Sequence, residues 1–258
     1  MPPTLPDIIL DAPDAPSLAA AAALAQPLRR IAGILRSEFD LPLPARVVTR
    51  FYPSRERLTV GLVAHASMTA TTAEELARFA AGIALPNSLL VRTPPSAMVG
   101  TEWTRLLAHE LTHLAQIELA GGEPAATRWL VEGVAEWVAY NVLDRLQPGT
   151  LDRHRHIAAR ASCGASARRL QLATLSTARG FLDRIEAEGS ARVYQVAFTL
   201  ADQLVAQRGF DAARRYFLAL RVSASAEHAF RLAFGTSTAD FESAATVVLA
   251  QTCAVTST

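Results

Sequence analysis

The chain has 258 residues, half of them apolar, with 25 basic and 24 acidic residues and a formal net charge of +1. That length and composition allow one large domain, or two tightly joined subdomains, around a sizeable core. The near balance of charge leaves no electrostatic footprint for nucleic acid or an anionic membrane, and no apolar run is long enough to span a bilayer.

Every basic residue is Arg and none is Lys. Five prolines in residues 1–16, with no periodic pattern, predict an extended tail. From Ser17 to about Phe39 apolar residues recur at helical spacing, and Pro27 predicts a kink or a break. The alanine-rich stretch from Leu18 to Leu24 lacks a positive leader and follows Asp7, Asp11 and Asp14. It therefore opens an ordinary helix rather than a signal peptide. The expected compartment is the cytoplasm, or an exported location reached with the signal already removed.

Arg46–Tyr52 (RVVTRFY) is rich in β-branched and aromatic residues and predicts a strand. Thr71 or Thr72 can cap a helix to about Ala81, with Glu74 and Glu75 in its first turn. Ser88–Arg92 (SLLVR) predicts a second short strand, closed by Pro94 and Pro95. Thr101 to about Ala120 is a continuous helical pattern ended by Gly121 and Gly122. Pro124 suits the first turn of the next helix, which runs to about Leu146. Residues 147–172 are polar, Arg-rich and irregular, and helical patterns return at 190–208, 211–221, 225–234 and 238–250. The expected class is α+β: a small sheet in the first third, then helices. Cys163 and Cys253 are too few for a disulfide framework; they bridge in an oxidising compartment and stay thiols in the cytosol.

Residues 109–113 read His-Glu-Leu-Thr-His. On a helix, positions i and i+4 lie one turn apart and about 40° apart around the axis, so both imidazoles can reach one cation. Glu110, beside the first His, points to the same place and can take a proton from an activated water. Leu106, Leu107, Leu111, Leu114 and Ile117 surround these polar groups, and burying His109, Glu110 and His113 among leucines is costly unless a cation compensates. A catalytic zinc takes three protein ligands and keeps one open position. Glu132, on the following helix after a short Gly-Gly-Glu-Pro turn, can supply the third. Glu136, one turn further, can accept the second ring N–H of a ligand His.

His109–His113, eighteen residues, then Glu132 within Trp129-Leu-Val-Glu-Gly-Val-Ala-Glu136, resembles the gluzincin signature of the peptidase MA clan. It is similar to the aminopeptidase and leukotriene hydrolase pattern, and more so to small bacterial peptidase MA-like domains with WL-x-EG-x-AE. The resemblance covers residues 100–140 tightly and 30–250 loosely. It implies a zincin-like α+β fold, with a small mixed sheet in the N-terminal part packed on the metal-binding helix and a mostly helical C-terminal subdomain. The implied catalytic domain is residues 17–258, with subdomains 17–122 and 123–258. Also implied are one Zn²⁺ on His109, His113 and Glu132, Glu110 as the base, and a peptide or protein as the substrate.

Two departures from the pattern narrow the expectation. Related aminopeptidases carry Asn before the third ligand, where it supports the second His, whereas this chain has Val131. They also hold the substrate's free amine with acidic residues, one of them upstream of the HExxH motif, yet no acidic residue lies between Glu75 and Glu102. An unpaired ammonium would be poorly held there, which points to an endopeptidase. The alternatives are a catalytically inactive peptide-binding module on the same fold, or a metallohydrolase of a non-peptide substrate.

Several further residues carry expectations. Tyr194, 62 residues after Glu132, is the candidate second electrophile at the oxyanion, set against an ordinary core tyrosine. Ser88–Arg92 is a candidate edge for pairing with a substrate backbone. His154 and His156 are expected as solvated loop residues, with a second metal site as the alternative, and Cys163 as a thiol could cover the zinc. Trp103, Trp129 and Trp137 are expected to anchor helix packing.

Overall fold

The computed structural model describes residues 5–12, 15–93, 100–123, 125–163 and 171–255. Two compact units divide the chain, Met1–Glu118 and Leu119–Thr258.

The first unit holds β1 (Asp7–Asp11), α1 (Ala15–Phe39), β2 (Arg46–Tyr52), α2 (Arg55–Ala66), α3 (Ala70–Phe79), β3 (Gly82–Leu85), β4 (Ser88–Arg92) and most of α4 (Thr101–Ala120). Its four-stranded sheet has the order β1-β2-β4-β3. The first two pairings are parallel, Ile9 opposite Val48 and Arg50 opposite Leu90, while β3 runs antiparallel to β4 with Ile83 opposite Leu90. Val47, Thr49 and Phe51 alternate inward along β2, the period of a strand with one buried face. Ser88 to Val91 are all buried, as a short apolar run in an inner strand should be. Leu28, Ile31, Ala32 and Leu35 bury the inner stripe of α1.

Several expectations are corrected here. Within the expected tail, Asp7–Asp11 is a strand that adds to the sheet edge beside β2. Prolines flank this segment, but Asp-Ile-Ile-Leu-Asp itself contains none, so each residue keeps an N–H for the ladder. Pro27 lies inside α1 without breaking it. Helix α2 has no counterpart among the expected elements, because Thr and Val weaken its helical pattern. It is set by Ser54, whose hydroxyl accepts the Arg57 N–H. The cap of α3 is Thr69, not Thr71 or Thr72. Strand β3, only four residues long, is also unexpected, and it displaces Ser88–Arg92 from the sheet edge to an interior place. A tight turn at Pro86-Asn87 joins the two, with Asn87 at φ 60°, a conformation Asn tolerates better than most residues. Pro94 and Pro95 lie outside the described residues.

The second unit is helical: α5 (Arg128–Leu146), α6 (Thr150–Ser162), a short 3₁₀ turn (Leu172–Ser176), α7 (Ala178–Glu188), α8 (Ser190–Arg208), α9 (Phe210–Leu220), α10 (Ala226–Phe234) and α11 (Thr238–Val255). Helix α5 begins four residues after Pro124, which is itself outside the described residues. Every residue from Trp129 to Ala139 is buried, so α5 has no solvent face over three turns. The enclosed side chains include Glu132 and Glu136 beside the apolar ones. The Trp129 indole N–H donates to Glu242 at 2.8 Å, the Ser176 hydroxyl bonds the same oxygen at 2.6 Å, and the Trp137 N–H donates to Asp202 at 2.9 Å. The backbone N–H of Thr127 donates to the buried Tyr216 hydroxyl at 2.9 Å, tying down the start of α5. Burial pushes the Tyr216 phenol up, so it stays neutral and able to accept.

Residues 150–162 are a helix rather than irregular chain, since Thr150, His154, Ala158 and Ser162 recur at four-residue spacing on its buried side. His154 is correspondingly buried, stacked on Tyr140 with Phe198 edge-on, while His156 is exposed. Cys163 and Cys253 form a disulfide across 90 residues, closing the end of α6 onto α11. In the chain-entropy account a loop of that length contributes about 4–5 kcal/mol. The bridge also consumes the Cys163 thiol, so it cannot cover a metal.

Candidate metal and catalytic site

Helix α4 presents His109 and His113 one turn apart. Their Nε2 atoms approach to 2.9 Å, with ring centroids 4.5 Å apart and ring planes nearly perpendicular. His113 Nδ1 meets Gln116 Oε1 at 2.8 Å. An amide oxygen can only accept, so the proton sits on Nδ1 and His113 Nε2 carries its lone pair outward. Gln116, absent from the expected site residues, is thus the partner that the missing Asn left open. Its signal was a polar side chain three residues after His113, on the same helix face.

His109 and Glu132 are buried and His113 is partly so; each offers one ligand atom, and these atoms all lie within 4.8 Å of one another. Two imidazole nitrogens and a carboxylate oxygen brought to a common point form a donor set that a divalent cation satisfies at once. Nitrogen facing nitrogen at 2.9 Å, with one proton already committed to the far side of His113, suits that use. The three residues could therefore hold a metal ion. His154 and His156 do not join such a group among the described residues.

Glu110 is 4% exposed, and its carboxylate lies along the backbone of Gly82 in the edge strand β3. A Cβ at Gly82 would stand 2.7 Å from Glu110 Cγ and 2.9 Å from Oε1. Only glycine leaves the Glu110 carboxylate its place. No local pattern announces this, because the two residues belong to elements 28 positions apart.

Arg128, in the first turn of α5, reaches Glu132 with Nη2 2.5 Å from Oε1. Its i,i+4 spacing was legible, its partner's burial was not. Glu136 is buried one turn beyond Glu132. Tyr194 is half-buried in α8, its ring edge-to-face with Phe181 at 5.5 Å. Trp103, Trp129 and Trp137 are buried packing residues, as expected.

Residues 19–188, well over half of the chain, match the family described as peptidase of plants and bacteria. The chain belongs to that family. Membership in the peptidase of plants and bacteria family makes it a hydrolase acting on peptides, with a peptide as its partner. The matched segment contains α4 and α5, hence the whole donor group, and ends at α7. Tyr194 lies beyond it. No curated protein matches this member of the family. Among the described residues, no helix is long and apolar enough to cross a membrane.

Proposed function

We propose that this peptidase is a zinc-dependent endopeptidase of the gluzincin kind on a zincin-like fold. The observation that carries the reading is the meeting of His109, His113 and Glu132 donor atoms within 4.8 Å, on consecutive helices of a peptidase-family chain. A zinc ion held by these three residues would supply Lewis-acid polarisation of the scissile carbonyl and of the attacking water.

The chain's own groups do the rest. Glu110 takes the water's proton and delivers it to the leaving amine nitrogen. Gly82 keeps that carboxylate in place, and Gln116 holds the His113 tautomer. Glu136, one turn beyond Glu132, is the candidate acceptor for the second ring N–H of a ligand His. Tyr194 donates a hydrogen bond from its hydroxyl to the developing oxyanion. Internal cleavage is favoured because the stretch between Glu75 and Glu102 holds no carboxylate to grip a substrate ammonium.

Purified protein should carry about one equivalent of zinc and cleave members of a peptide library at internal bonds, whereas Glu132→Ala should lose both zinc and cleavage. Full zinc retention in Glu132→Ala would remove Glu132 as a ligand. A metallated wild type inert on the library would instead favour an inactive peptide-binding module. For Tyr194→Phe the expected result is a kcat reduced about 10²-fold or more with unchanged zinc content; unaltered turnover would exclude its hydroxyl from the mechanism.

A further inference from the structure

The Glu132 carboxylate, its side chain only 2% exposed, is claimed twice: by the metal reading of the triad and by the Arg128 guanidinium 2.5 Å from Oε1. A carboxylate so deeply placed, in a helix buried from Trp129 to Ala139, needs a positive partner. A guanidinium and a divalent cation both meet that need. They differ in reach, because Arg128 sits one turn toward the start of α5 with 40% of its side chain exposed, and so can swing into solvent.

We propose that Arg128 is a resident counter-cation of the metal site, competing with the metal for Glu132 and thereby setting how tightly the site loads. The proposal rests on the reading of His109, His113 and Glu132 as the metal ligands. Arg128 neutralises part of the charge that would attract the cation, and metal entry trades the ion pair for coordination. The side chain stabilises the protein without metal and adds nothing once metal is bound. Zinc affinity is therefore lower than the three donors alone would give. An ordinary supporting residue, orienting Glu132 toward the metal, would do the reverse: it would raise affinity and stabilise the loaded protein.

The two roles separate in a thermodynamic cycle on the full chain. Wild type, Arg128→Met, Arg128→Lys and, as a charge control, Arg153→Met on the exposed side of α6 are stripped of metal and titrated with zinc against a competing chelator. Each is then melted with and without zinc. Arg128→Met keeps most of the apolar stem and removes the charge. It should bind zinc on the order of tenfold more tightly, melt lower than wild type without metal, and melt with wild type when loaded. Arg128→Lys should restore most of the wild-type affinity, and Arg153→Met should leave it unchanged. Unchanged or weaker zinc binding by Arg128→Met, or an equal loss of melting temperature in both states, overturns the proposal. Should the wild type itself take up no zinc, the metal reading fails first, and that failure is seen before any variant is compared.

Discussion

Replacing Glu110 by Gln should reduce kcat by about 10²–10⁴-fold while zinc content stays at the wild-type level. The change is isosteric, so the side chain still fits along Gly82, where a Cβ would come within 2.7 Å of it. Only the ability to take up a proton is lost. The measurement is peptide turnover beside metal analysis of the same preparation. Turnover within a few-fold of wild type would show that another group moves the proton. Loss of metal together with activity would instead place Glu110 among the groups that hold the site together.

The second large effect is on stability. Gly133 follows Glu132 directly in α5 and lies against Ala197 and Ala201 of α8. A Cβ there would collide with the Ala197 carbonyl, whose carbon stands 2.8 Å away, and meet Ala201 Cβ at 3.0 Å. The obstacle is backbone, so α8 must shift. Gly133→Ala should therefore destabilise by about 1–3 kcal/mol, lowering the melting temperature by roughly 2–4 °C for each kcal/mol in a chain of this size. Gly33, in α1, has nothing within 4 Å of the place a methyl would take. There Ala should stabilise by up to about 1 kcal/mol through helix propensity. Equal melting of Gly133→Ala and wild type would show that α5 and α8 are not held at this separation.

Much of the local structure was legible. Arg46–Tyr52, Ser88–Arg92 and Thr101–Ala120 form as the sequence patterns require. Arg46–Tyr52 alternates and Thr101–Ala120 follows the helical period, while Ser88–Arg92 is a short apolar run bounded by Asn87 and Pro94. The misses share a cause. Strands β1 and β3 are five and four residues long, too short to show a period, and they exist because β2 and β4 offer them ladder partners. Helix α6 looked irregular because its arginines hide a buried stripe only one residue wide, and His154 is in that stripe because Tyr140 and Phe198 sandwich it.

The sequence by itself determined that His109 and His113 stand one turn apart on one helix, since helix geometry is the same in every protein, and it offered Glu132 on the next helix as the third member of a group that could hold a metal ion. Tertiary structure decided the contacts between elements: Gly82 under Glu110 and the Cys163–Cys253 bridge. The reason is one of range. Periodicity reports which side of an element is buried, whereas a contact between elements depends on where the whole chain brings them, and no local pattern records that.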